Sequence, residues 1–276
     1  MSLPQSISGE AAGVPFVAFA PASDRVGAAT ILIWHLHDPP RSETAMATAL
    51  PLRDVDAWRV YLGLPFSGKR LPPGGLEGFF ALGYEDAVLK LYAPTVRQAV
   101  AEFRPALSEL RRRLGVAEGP VALVGASVGA FVAASIVAAG ELAVSALALV
   151  SPALRLTYVV AANERRFGVS YPWSDEARAI AAELDFVTRA PELARYGVPT
   201  CLIVGADDDE EGIIAPAEEL RDALADYDVD ASLSRIEGMA HALAEEPGLE
   251  AAPQTSAAAA VDELLARWLD EHLGQR

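Results

Sequence analysis

Val121-Ala122-Leu123-Val124-Gly125-Ala126-Ser127-Val128-Gly129-Ala130 is the stretch whose reading decides the fold. Its first half is short, apolar and rich in branched residues, which reads as a buried strand. It leads straight into G-x-S-x-G, and Phe131 to Ala139 beyond are small, apolar and free of helix breakers. Strand, abrupt turn and helix form the setting in which a serine nucleophile is held at the tip of a strained bend. Gly125 and Gly129 stand two residues either side of Ser127, where a Cβ would strike the neighbouring strand or helix. The bend also sets a helix N-terminus beneath Ser127, whose free N–H groups favour developing negative charge. The competing reading is a tight β–α turn whose serine merely caps the helix.

On either side of this stretch, strand-like and helix-like segments alternate. Val14 to Ala20 and Ala28 to His35 read as strands around the turn-rich spacer Pro21-Ala22-Ser23-Asp24, and Trp58 to Leu62 as another. Glu43 to Leu50 suits a short helix, and Pro65 to Gly78 a loop rich in Pro and Gly. Val96, Val100, Phe103, Leu107, Leu110 and Leu114 mark one face of a helix that Pro105 should kink and Gly115 should end. Val144 to Val150, Val198 to Gly205 and Val229 to Ile236 are further strands, and Ser256 to Leu273 is a closing amphipathic helix. This alternation predicts an α/β fold with a mostly parallel sheet covered by helices on both faces. About fifty residues separate the strands at Val144 and Val198, more than one helix needs. They include Tyr158, Phe167, Tyr171 and Trp173 and a helix from Asp175 to Leu184 capped by Ser174. Residues 153–197 are therefore either a small helical cap within a single domain, 1–276, or ordinary surface helices.

Bulk properties narrow the function. The chain has 276 residues, 52% hydrophobic and 22% charged, with net charge −16. So acidic a protein repels phosphate backbones and anionic membranes, which excludes nucleic acid and membrane surfaces as partners. No apolar run is long enough to span a bilayer. Met1 to Gly13 lacks the features of a signal peptide, so a cytoplasmic location is expected. Cys201 is the single cysteine, which excludes an internal disulfide.

A serine hydroxyl needs a base to take its proton. Of four histidines, His272 lies on the polar face of the last helix, and His35 and His37 end an early strand. His241, in Gly238-Met239-Ala240-His241, follows a late strand, and parallel strands gather their C-terminal ends. It is the base this reading selects, against a solvent-facing turn histidine. The base in turn needs a carboxylate to fix its tautomer. Asp207, Asp208, Asp209, Glu210 and Glu211 follow Gly205 at another strand end. Five acids in a row cannot all be buried. Asp208 is chosen to point inward, ahead of Asp207, and no second ligand group stands at a spacing that would make the run a metal site. Oxyanion donors are expected from the backbone N–H of Val128 and from the loop after the early strand. Pro39 cannot donate, which favours His37 or Leu36 there, His37 for its backbone and not its imidazole.

Ser127 in Gly-Ala-Ser-Val-Gly, Asp208 in Gly-Ala-Asp-Asp and His241 in Gly-Met-Ala-His, in that order, resemble the α/β-hydrolase fold superfamily. The resemblance covers nearly the whole chain, with Leu64-Pro65-Phe66-Ser67-Gly68 similar to a family loop and 153–197 placed where members carry a cap. It implies an eight-stranded sheet and a carboxylesterase-like serine hydrolase acting on a small-molecule acyl substrate (ester, thioester or amide) without a cofactor. Many members have His-Gly after the third strand. Here the sequence is His35-Leu36-His37, and the Leu36 side chain is expected to narrow the oxyanion loop. Two alternatives share these residues: acyl transfer to an alcohol or amine, and non-catalytic ligand binding.

Overall fold

In the computed structural model, which describes residues 6–23, 27–116 and 118–274, the apolar runs pair into one eight-stranded sheet. Asp24 of the expected spacer and Met1 to Gln5 lie outside the described residues. The strands are β1 (Ile7–Ala11), β2 (Val14–Phe19), β3 (Thr30–Trp34), β4 (Trp58–Leu62), β5 (Val121–Ala126), β6 (Ala146–Val150), β7 (Thr200–Gly205) and β8 (Ala231–Ile236). Their spatial order is β1-β2-β4-β3-β5-β6-β7-β8. β3 to β8 are all parallel, and β2 runs antiparallel to both β1 and β4.

The helices are α1 (Glu43–Ala49), α2 (Leu76–Asp86), α3 (Ala93–Leu114), α4 (Val128–Ala139), α5 (Leu156–Phe167), α6 (Asp175–Glu183), α7 (Ala190–Ala194), α8 (Ala215–Ala225) and α9 (Ser256–Leu273). Period-two alternation along the strands separates two cores. Leu32, Trp34, Leu123 and Leu149 face Val96 of α3, Phe131 of α4 and Leu220 of α8. Ile31, Ile33, Val124 and Ala148 face Met46 of α1 and Leu265 of α9. Both faces are thus covered, as an almost uninterrupted apolar strand such as β5 requires. The expected helix at Pro105 runs unbroken across the proline. A mid-helix proline costs about 3 kcal/mol. Burying Val96, Phe103, Leu107 and Leu110 on one face outweighs it, at roughly 1.5–3 kcal/mol each.

The sheet order fixes where a site forms. From β3 the chain moves outward to β4, and from β5 it moves the other way, through β6 and β7 to β8. The reversal opens a crevice at the carboxyl ends of β3 and β5, where open α/β sheets bind ligands. Ser127 and the His35-Leu36-His37 loop both lie there. Among the described residues, no helix is long and apolar enough to cross a membrane.

Candidate active site

Ser127 joins β5 to α4 with φ 48° and ψ −116°. That is a conformation a residue with a side chain keeps only when its surroundings over-determine it. Here they do. The Ser127 N–H donates to the Val150 carbonyl at 3.0 Å, and its own carbonyl accepts from Ala130 at 2.8 Å and Ala153 at 3.2 Å. A Cβ on Gly125 would stand 2.3 Å from the Gly129 carbonyl oxygen, and one on Gly129 would stand 2.7 Å from that of Trp34. Both positions exclude any larger residue, so α4 packs directly behind the serine. Val128 opens α4, and its N–H, as a first-turn group, has no acceptor within the helix.

Three strand ends then converge. His241 Nε2 lies 2.8 Å from Ser127 Oγ, and His241 Nδ1 lies 3.1 and 2.9 Å from the two Asp208 oxygens. With Asp208 ionised, Nδ1 carries the proton and Nε2 offers its lone pair to the serine hydroxyl. The Asp208 carboxylate is buried, whereas Asp207 is exposed. The rest of the acidic run is occupied elsewhere. Asp209 caps the Gly212 N–H at 2.7 Å and pairs with Arg165, and Glu211 pairs with Arg165 at 2.9 Å. Burial opposes a charged His241 ring, but the hydrogen bond and charge of Asp208, with the charge of Asp38, outweigh it. Its pKa therefore lies above the usual histidine value of 6.5.

The loop after β3 is built around two uncharged histidines. His35 is fully buried, and desolvation brings its pKa down to about 4. Its Nε2 accepts from the Leu64 N–H at 3.1 Å, so Nδ1 carries the proton and donates to the Leu36 carbonyl at 2.7 Å. His37 is likewise desolvated, to about 3. Two sequence expectations for Leu36 need correction. Its side chain turns into the core beside α1 and α9 and does not narrow the crevice. Its N–H already donates to the Pro40 carbonyl at 3.3 Å, so of the two loop residues His37 is the one left to donate.

Sequence reasoning missed Arg41 altogether. Its Nε donates to the His37 carbonyl at 2.8 Å, and its other nitrogens reach Glu246 at 2.5 and 3.1 Å and the Pro247 carbonyl at 2.7 Å. It thereby fixes the peptide next to the candidate oxyanion donor. Also missed was a cavity of about 390 Å³ that opens beside His37 and Asp38, between residues 79–92 and residues 160–172. The aromatic run Phe79, Phe80, Tyr84, Tyr92 was the available signal for it.

No protein-family model and no curated protein matches the chain. Solved structures do, along its full length. TT1662 from Thermus thermophilus is similar at 17% identity and TM-score 0.64, with 100% of each chain covered. Carboxyl esterase 2 from the fungus Tuber melanosporum is 17% identical with TM-score 0.57, over 98% of this chain and 86% of that one. A dienelactone hydrolase from Anabaena variabilis is 19% identical with TM-score 0.56, over 98% and 99%. The chain has the α/β-hydrolase fold.

Proposed function

We propose that this protein is a serine hydrolase that cleaves a small-molecule ester through an acyl-enzyme. Ser127 Oγ attacks the carbonyl carbon as His241 Nε2 takes its proton, and the N–H groups of Val128 and His37 receive the oxyanion. Collapse of the tetrahedral intermediate breaks the C–O bond, and the alcohol departs with the proton that His241 held. A water molecule, deprotonated by His241, then attacks the acyl carbon and frees Ser127 and the carboxylic acid. Asp208 holds the His241 tautomer and stabilises the imidazolium.

One observation carries this reading: an unbroken hydrogen-bonded line, Asp208 to His241 to Ser127, ends on a serine in a strained bend. A binder gains nothing from that strain. The structural likeness to a Tuber carboxyl esterase and an Anabaena dienelactone hydrolase supports an ester as the substrate. Within this reading, 1–276 acts as one domain, and 153–197 supplies the cap through α5 and the segment after it.

Labelling by a fluorophosphonate probe tests the proposal. Wild type should label and Ser127→Ala should not, with turnover down about a millionfold. Equal labelling of the two, or none of wild type, rules it out. Asp208→Asn should cost about 10⁴ in kcat, while Asp207→Asn leaves it near wild type. The reverse ranking would transfer the acid's role to Asp207.

A further inference from the structure

We propose that the cavity beside the oxyanion loop receives an uncharged aromatic group, so that the substrates are neutral esters carrying an aryl ring. For its reaction, though not for its binding, this rests on the serine hydrolase reading. His37 and Asp38 belong to the cavity lining, so a group seated there lies against the loop proposed to polarise the carbonyl.

The walls are held at a set separation. Asn163 Nδ2 donates to the Tyr92 hydroxyl oxygen at 3.0 Å, and the Tyr171 hydroxyl donates to Asp86 at 2.5 Å. The Tyr84 and Phe167 rings meet edge-to-face across the opening, 6.3 Å between centroids. Six lining residues are Phe or Tyr, in a chain with 7% aromatic residues, so the lining is far richer in rings than the chain at large. They are not simply core. Phe80, Tyr84 and Phe167 are 41%, 68% and 47% exposed, which leaves apolar ring surface in water at a cost. A guest covers that surface. Edge-to-face pairs, such as His37 on Phe79 at 5.1 Å and Phe79 on Phe80 at 5.5 Å, offer ring faces and edges to a flat partner.

Charge selects a neutral guest. Arg41 and Arg166 are the cations of the lining, and both are engaged: Arg41 by Glu246 and two carbonyls, Arg166 by Asp38 at 3.1 Å. Glu85 and Glu164 add negative charge to the same walls. A carboxylate would enter with no free cation to meet it, and burying it unpaired is costly.

Equilibrium dialysis of the full chain with 2-acetonaphthone, 2-naphthoate and 2-dodecanone tests the inference. The aryl ketone should bind saturably, one to one, with the carboxylate and the linear ketone weaker by about tenfold or more. Gly83→Leu fills the cavity. Its Cβ would sit 3.5 Å from Leu91 Cδ2, an ordinary contact, and leucine suits a helix better than glycine. Affinity for 2-acetonaphthone should fall about tenfold, with labelling of Ser127 by a small methyl fluorophosphonate unchanged. Phe80→Ala, an exposed position, should weaken the same binding independently of any folding defect in Gly83→Leu. Equal affinity for all three compounds, or binding indifferent to both variants, overturns the inference. Selective aryl binding without labelling sinks the hydrolase reading alone. Labelling without selective binding sinks this one alone.

Discussion

Gly205→Ala should disable the site without touching any residue in it. A Cβ at position 205 would stand 2.1 Å from the Met239 carbonyl oxygen and 2.6 Å from that of Ala240. Those two residues immediately precede His241. To restore even 3.0 Å, the Met239 carbonyl must retreat by about 0.9 Å. Two hydrogen bonds tie this turn to the end of β7, Asp207 N–H to the Met239 carbonyl and Ala206 N–H to the Ile236 carbonyl, both at 2.9 Å. At about 0.5–1.5 kcal/mol each, they are the first to be lost. The imidazole, now 2.8 Å from Ser127 Oγ, is carried off with the turn. A misplacement of about 1 Å costs on the order of 10²-fold in rate. Gly238→Ala is the control. It has φ +70° and nothing within 4 Å of its would-be Cβ, so it should lose about 1–2 kcal/mol to left-handed strain and keep its kcat. The assay pairs thermal melting with kcat on a short-chain ester and with the rate of fluorophosphonate labelling. If Gly205→Ala keeps most of its kcat, or Gly238→Ala loses as much as Gly205→Ala, backbone contact is not what places His241.

Asp38→Asn should shift the acid limb of the pH–rate profile to lower pH. Asp38 supports the His241 imidazolium, and the proposed reaction needs the neutral ring, so removing that charge should let the base act in more acid solution. Freeing the Arg166 cation pushes the same way, and a limb moved to higher pH would contradict the assignment. Arg41→Leu should lower kcat by about 10–100-fold, less than outright loss of an oxyanion donor, with KM for a small ester nearly unchanged. A KM effect alone would mean that Arg41 binds substrate and does not hold His37. Leu36→Gly, which restores the His-Gly pattern, should gain no activity and lose stability by about 2–5 kcal/mol, read as a lowered Tm. A faster, equally stable variant would show that Leu36 does narrow the loop.

Sequence alone revealed those parts of the molecule whose cause is local. The bend at Ser127 was legible because two glycines, an apolar strand and a breaker-free helix lie within twenty residues of one another. Ser174 was equally readable as a helix cap, and its hydroxyl accepts the Ala177 N–H at 3.1 Å. His241 was picked among four histidines by its place after a late strand, and Asp208 among five acids by its place three residues after Gly205. What stayed hidden depends on distant chain. β1 is polar along an edge and has no apolar alternation to read. Arg41 acts through Glu246, 205 positions away, and the two cavity walls are joined by contacts 71 and 85 positions apart. The fate of Leu36 was equally unreadable, because it depends on where the Pro40 carbonyl and the α9 core come to rest.

That last case explains how the loop tolerates a leucine where a glycine is usual. A glycine at the second position spares the crevice by having no side chain. Here the crevice is spared by direction instead: the Leu36 side chain is sunk in the core beside α1 and α9, and the chain is anchored so that it stays there. His35 ties the loop to Leu64, Leu243 donates to the Pro39 carbonyl at 2.9 Å, Arg166 takes Asp38, and Arg41 takes the His37 carbonyl. Three separate segments, together with Arg41 of the same loop, therefore restrain a run of five residues, and the N–H proposed to meet the oxyanion is placed by their sum. Restraint of this kind is pre-organisation. The donor does not have to be reoriented as charge develops, which is why fixed dipoles in a dry site outperform water. Two of these restraints, Arg166 and Arg41, also line the cavity. A guest that displaced either one would loosen this loop as it bound, and that ties the proposed selection of an uncharged substrate to the geometry of the proposed oxyanion donor.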